Sequence, residues 1–283
     1  MSSLSPEILN AKVAGLIAVA LAFVFCFAAD CSAQQDAEHS VTPPVASPVD
    51  ADPETKDSSK LTLESLLEKY RDRGVEKWEE TILKMEARSA AENARGKWSE
   101  DALLFFGSSS IRRWKTMNED LVTFPAINRG YGGAKYVDMV LFADRILALH
   151  KYRALVLFAA NDVSGNDNDS SPAEVDCAVR EIIRVSKSHR PDAPVFIIEI
   201  TPTESRFSSW SKTRELNAML REIALTTDNT FFIATAQHYL NVDGTPKSEF
   251  FVEDKLHLNA DGYKKWAGLI RVQLNFFLPA LKQ

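Results

Sequence analysis

Apolar positions along the chain follow three different patterns. Residues 13–29 form an unbroken stretch of Ala, Val, Leu, Ile, Phe, Gly and Cys. Residues 34–60 are rich in Ala, Ser, Pro, Asp and Thr and have no apolar period. From residue 61 onward the spacing becomes regular. Over 61–95, Leu63, Leu66, Leu67, Tyr70, Trp78, Ile82 and Met85 stand among charges, which predicts an amphipathic helix. Short apolar runs at 102–106, 125–128, 153–159, 194–200 and 230–235, each bounded by turn residues, predict buried strands. Helical patterns fall between and after them at 134–149, 172–188, 211–225 and 259–277, the last with Asn259 as N-cap. Strands alternating with helices predict a parallel sheet covered on both faces, an α/β chain.

The three patterns divide the chain. Residues 1–33 read as a signal peptide or an N-terminal anchor: the apolar stretch lies between a signal-peptide core and a membrane span, and Cys31-Ser32-Ala33 offers a small-x-small cleavage pattern. Residues 34–60 read as a disordered linker. Residues 61–283 form the folded domain, with 61–95 as its helical extension. The expectation is export to the periplasm or extracellular space, with membrane contact only through the N-terminal segment. Cys26 and Cys31 would leave with a cleaved signal, so Cys177 has no disulfide partner and reads as a small buried hydrophobe.

Composition narrows the partners. Of 283 residues, 33 are Lys or Arg and 39 Asp or Glu, a formal charge of -6. That balance excludes a module that binds nucleic acid by neutralising phosphates. The sequence does not indicate an oligomeric state.

In open parallel sheets, ligands bind outside the carboxyl ends of the strands. There the chain places Gly107-Ser108-Ser109-Ser110, then Asn128-Arg129-Gly130-Tyr131-Gly132-Gly133, then Ala159-Ala160-Asn161-Asp162. The loop before the last helix carries Asp254-Lys255-Leu256-His257. A Ser hydroxyl is a weak nucleophile that needs an adjacent base, which His257 supplies. Asp254 can fix the imidazole tautomer. The Ser109 N–H, the Gly133 N–H and the Asn161 amide can stabilise an oxyanion. Which of Ser108, Ser109 and Ser110 attacks is open on chemistry alone.

Together these four blocks resemble the SGNH hydrolase superfamily, the GDSL-like lipases and acylhydrolases. Gly107-Ser108-Ser109-Ser110-Ile111-Arg112 is similar to a subgroup reading Gly-Ser-Ser-Ser-Ile-Arg, and the stretch from Thr201-Pro202-Thr203 through Arg206, Trp210 and Asn217 also resembles it. The resemblance covers about 100–277. It implies a flavodoxin-like three-layer α/β/α sandwich, no metal or cofactor, and ester hydrolysis through an acyl-enzyme, with a small-molecule or polysaccharide ester as the expected partner. It assigns Ser109 as nucleophile, Asp254 and His257 as its partners, and Ser109, Gly133 and Asn161 as the oxyanion hole. The chain departs from the family at Ser108, where Asp is usual, and at Ala159, where Gly is usual; neither change removes a catalytic group.

Other patterns carry less. An α/β-hydrolase elbow is disfavoured because Ile111 stands where Gly is required. Lys135 breaks a dinucleotide fingerprint. His39, His150, His189 and His238 lack metal-ligand spacing. The Asp- and Asn-rich run 162–170 reads as a solvated loop. Arg112, Trp114 and Trp210 are candidates for substrate binding, although Arg112 or Arg113 could instead pair with a carboxylate and both Trp residues could belong to the core. The functional expectation is an exported serine esterase acting on short acyl groups of a carbohydrate. The alternatives are a lipase or lysophospholipase-type acylhydrolase and a non-catalytic carbohydrate-binding module on the same fold.

Overall fold

The computed structural model describes residues 61–278. The expected signal segment 1–33 and linker 34–60, with Cys26, Cys31 and His39, lie outside the described residues. Helix α1 (Leu63–Ala94) opens on a capping box in which the Thr62 side chain accepts from Ser65 N–H. Strand β1 (Leu103–Gly107) follows, then the short helices α2 (Ser109–Arg113) and α3 (Met117–Asp120), and strand β2 (Ala126–Gly130). Next come α4 (Tyr136–Met139) and α5 (Ala143–Leu147), strand β3 (Ala154–Phe158), α6 (Pro172–His189) and β4 (Val195–Ile198). Helix α7 (Trp210–Thr226), strand β5 (Thr230–Ile233) and α8 (Ala260–Phe277) complete the order. Asn259 caps α8 by accepting from Gly262 N–H at 2.9 Å.

All five strands are parallel, in the order β2-β1-β3-β4-β5. Alternate strand residues supply two cores. Leu104, Phe106, Leu155 and Leu157 pack beneath α1, α4, α5, α6 and α7. Leu103, Phe105, Val156 and Phe158 pack beneath α2, α3 and α8. The result is the expected three-layer α/β/α sandwich. Because β2 and β3 flank β1 on opposite sides, the strand order reverses at β1, and a crevice opens beyond the carboxyl ends of β1 and β3.

The segment expected as one helix over 134–149 is broken. Its backbone tightens into a 3-10 turn at Val140–Phe142 between α4 and α5. Tyr136, Val137, Asp138, Met139 and Val140 are all buried in succession, so this segment is enclosed on every side and presents no single apolar stripe to the sheet.

Helix α1 is fixed by more than apolar contact. Fully buried Arg129, from β2, donates to Glu92 Oε2 of α1 at 2.5 Å and to Ser89 Oγ at 2.9 Å. Burial works against the Glu92 carboxylate, but donors from Arg129, Trp98 and Lys97 hold it well below the usual range.

Candidate active site

The site starts from a tight turn. Gly107 ends β1 where a Cβ would lie 2.3 Å from the Phe158 carbonyl oxygen of β3, so only glycine fits. The chain then turns directly into α2, whose first residue is Ser109. Ser108 is buried, with its N–H on Phe158 O, and the Ser110 carbonyl accepts from Tyr263 Oη. Of the three serines, Ser109 meets the histidine: its Oγ lies 2.9 Å from His257 Nε2.

His257 Nδ1 lies 2.7 Å from Asp254 Oδ2. The other carboxylate oxygen accepts from the Leu256 and His257 backbone N–H groups at 3.0 and 2.9 Å, so the loop holds its acid from two sides. Burial alone would raise the Asp254 carboxyl, but the donors from His257 and Leu256 outweigh it and bring it down to about 2. Arg113 Nη1 stands 3.7 Å from Asp254 Oδ2, a pairing with a carboxylate.

The cleft at Ser109 is lined on its apolar side by Phe158, Val163, Ile200, Leu258 and Trp266, with Asn161, Arg206 and Trp210 also in its wall. Asn161 Nδ2 donates to the Ala134 carbonyl at 2.9 Å, tying the β3 loop to the loop after β2. Gly133, one residue before that carbonyl, has φ +77 and is solvent-exposed; it is not among the residues lining the cleft.

Arg206 was not singled out for a role from sequence. Its Nη2 donates to Asn161 Oδ1 at 2.8 Å and its Nη1 to Ala160 O at 2.6 Å. A guanidinium thus fixes the orientation of the Asn161 amide and directs its N–H side into the cleft loops. The only signal in sequence is an Arg in the run Thr203 to Trp210, which gives no hint of its partner 45 residues earlier.

The substrate-binding candidates separate. Trp210 lines the cleft. Trp114 is corrected: it is 1% exposed, stacks on Tyr263 at 5.5 Å, and donates Nε1–H to Asp120 at 2.7 Å. Three elements bury its ring, so it cannot offer a face to a sugar. Arg112 is exposed but lies outside the Ser109 cleft; a Cβ on Gly132 would sit 2.9 Å from its Nη2. In the 162–170 loop, Asp169 gathers the N–H groups of Ser164 and Gly165. Among the described residues, no group of three or more His, Cys, Asp or Glu is placed to hold a metal, and no helix is long and apolar enough to cross a membrane.

A hydroxyl, an imidazole and a carboxylate in hydrogen-bonded line beside an amide donor can carry out acyl transfer. The family model for GDSL-like lipases and acylhydrolases matches residues 89–265, more than half of the chain. The chain belongs to the GDSL-like lipase/acylhydrolase family. That membership makes it an ester hydrolase by class. No curated protein matches. Solved structures share the fold. A GDSL-like lipase from Bacteroides thetaiotaomicron is 18% identical with a TM-score of 0.56, over 68% of this chain and 98% of that one. A lipase/acylhydrolase from Enterococcus faecalis is 21% identical with a TM-score of 0.54, over 64% and 99%. A carbohydrate esterase family 3 protein from Talaromyces cellulolyticus is 13% identical with a TM-score of 0.51, over 64% and 100%. The family match begins at residue 89, so most of α1 lies outside it.

Proposed function

We propose that the chain is an exported serine esterase that removes short acyl groups, acetyl foremost, from a carbohydrate. The observation that carries the chemistry is the line Ser109 Oγ–His257 Nε2–Nδ1–Asp254, with contacts of 2.9 and 2.7 Å. His257 takes the Ser109 proton as Oγ attacks the ester carbonyl carbon, and the carbonyl π electrons move to oxygen. Asp254 holds the imidazolium. Ser109 N–H, at the first turn of α2 where no preceding carbonyl claims it, and the second hydrogen of Asn161 Nδ2 serve the oxyanion. The tetrahedral centre collapses, the C–O bond to the alcohol breaks, and His257 protonates the departing oxygen. Water then attacks the acyl-enzyme by the same route. The sum is ester plus water to acid plus alcohol.

Phe158, Val163, Ile200, Leu258 and Trp266 form an apolar wall beside Ser109. The apolar wall suits a methyl group, and Trp210 beside it suits a sugar face. The carbohydrate esterase among the structural neighbours agrees with that choice.

The test compares acetyl and octanoyl esters of one alcohol with purified protein. The reading expects the acetyl ester to turn over faster. Equal or better turnover of the octanoyl ester contradicts a short-acyl site. N-terminal sequencing of protein from the producing cell's exterior tests export: loss of residues 1–33 agrees with it, and cell-internal protein with an intact N-terminus contradicts it.

A further inference from the structure

A second groove adjoins α2 and shares no lining residue with the Ser109 cleft. Arg88 and Lys97 from the α1 region line it together with Arg112 of α2, Lys115, half-buried Trp98 and Asn128. Four cations line one groove in a chain whose formal charge is -6. Among the described residues, Glu92 is the one carboxylate that pairs with any of them, taking Arg88 at 3.1 Å and Lys97 at 3.0 Å. Its charge is already matched by buried Arg129 at 2.5 Å. Arg112 and Lys115 form no ion pair among the described residues. Asp120, on the adjoining α3, is turned to Trp114 Nε1 and Thr116 Oγ1. The groove therefore carries a clear excess of positive charge.

Its position ties it to the reacting centre. Arg112 follows Ser109 by less than one helical turn of α2. Gly130, in the groove wall, pairs in register with Gly107, the residue that begins the nucleophile turn. Arg112 is the groove residue nearest in sequence to the nucleophile.

We propose that this groove binds a carboxylate-bearing polysaccharide, a polymer of uronic-acid type, and that the ester cleaved at Ser109 is carried on such a chain. The second half rests on the esterase reading above; the first does not. Guanidinium groups bind carboxylates through paired N–H donors, and cations spaced along a groove match charges repeated along a polymer. A lipid surface fits less well. Of the groove's apolar side chains, Met117, Trp114 and Ala126 are buried and Trp98 is half-buried, and exposed apolar residues such as Val122, Leu225 and Phe276 lie outside it. Single-stranded nucleic acid is a polyanion too, and its binding is one outcome of the test below.

The test is calorimetric titration of the full chain with an unesterified oligogalacturonate, a neutral cello-oligosaccharide, phosphatidylglycerol vesicles and single-stranded DNA. The oligogalacturonate is expected to bind and the other three are not. Its affinity should fall by about tenfold or more as salt rises from about 0.05 to about 0.5 M, because exposed charges are screened. Lys115→Glu, alone and with Arg112→Glu, should weaken binding by about tenfold or more with the melting temperature unchanged. Equal binding of neutral and acidic oligosaccharides, preference for vesicles or DNA, or unchanged affinity in Lys115→Glu overturns the proposal. Ester turnover is assayed separately. Binding without turnover counts against the esterase reading alone, and turnover without binding against the groove alone.

Discussion

The domain holds two serine–histidine–carboxylate constellations. One is Ser109, His257 and Asp254 at the sheet's carboxyl edge. The other is Ser89 and Glu92 of α1 with His150, joined by Arg129. Ser89 Oγ and His150 Nε2 are 3.1 Å apart, nearly the spacing of Ser109 and His257. Proton direction separates the two. Ser89 Oγ donates to the Met85 carbonyl at 2.8 Å, and Arg129 Nε donates to both Ser89 Oγ and His150 Nε2. The ring nitrogen that would serve as base is already accepting, and the hydroxyl proton is already placed. Ser89 and Arg129 are fully buried, so no substrate reaches them. At the other site His257 Nε2 faces a hydroxyl in an open cleft, and its Nδ1 faces a carboxylate. Residue types alone do not make a nucleophile; free lone pairs and access do.

The largest expected effect tests this contrast. Ser109→Ala should lower ester kcat by about 10⁴-fold or more, whereas Ser89→Ala should leave kcat within about twofold and lower the melting temperature instead. Steady-state kinetics and thermal melting of both variants check it. Comparable activity losses in the two would erase the distinction.

Glu92→Ala should destabilise the domain by about 3–5 kcal/mol, because it leaves the Arg129 guanidinium buried without its carboxylate. The kcat of molecules that remain folded should hold. Urea unfolding and kinetics below the transition separate the two effects.

Acid titration sharpens the buried side. Burial, then the nearby Arg129 charge, lower His150 from 6.5 to about 4. The unfolded chain therefore binds the proton first, and stability from this group is lost as pH falls from 6.5 toward 4. Burial raises Asp162 from 3.8 to about 6, so the native state holds that proton and stability is lost as pH rises from 3.8 toward 6. Between pH 6 and 4.5 the two oppose each other, each worth about 2 kcal/mol over that window. Asp162→Asn should expose a protein that weakens by about 2 kcal/mol on acidification across the window, and His150→Asn one that strengthens by a similar amount. Unfolding free energies at the two ends of the window decide it; parallel curves for both variants and wild type would refute the assignment.

A smaller effect is expected at the cleft. Arg206→Ala should lower kcat by about 10- to 100-fold with little change in KM, since it frees the amide that serves the oxyanion. Arg206→Lys should restore part of that loss by keeping one donor. A rise in KM with kcat unchanged would instead place Arg206 in ground-state binding.

Much of this was legible in the chain. The five apolar runs became β1 to β5 because buried parallel strands read as continuous apolar stretches between turn residues. The residues brought to the crevice stood at strand ends, where topology alone says to look. What was not legible depends on pairs distant in sequence. Arg129 and Glu92 are 37 residues apart, Arg206 and Asn161 are 45 apart, and neither pair follows a local period. Trp114 read as a possible sugar platform because its aromatic neighbours Tyr263 and Trp266 arrive from α8, far along the chain. The basic groove was invisible for the same reason, with cations from α1, α2 and the segments after each meeting only in three dimensions.

The central claim is that Ser109 alone, of the two histidine-paired serines, is an activated nucleophile. Treating the folded protein with a fluorophosphonate and mapping the modified peptide by mass spectrometry tests it directly. The account predicts one phosphonylated residue, Ser109, and no labelling in His257→Ala. Labelling at Ser89, or no labelling of the folded wild-type protein, would contradict it.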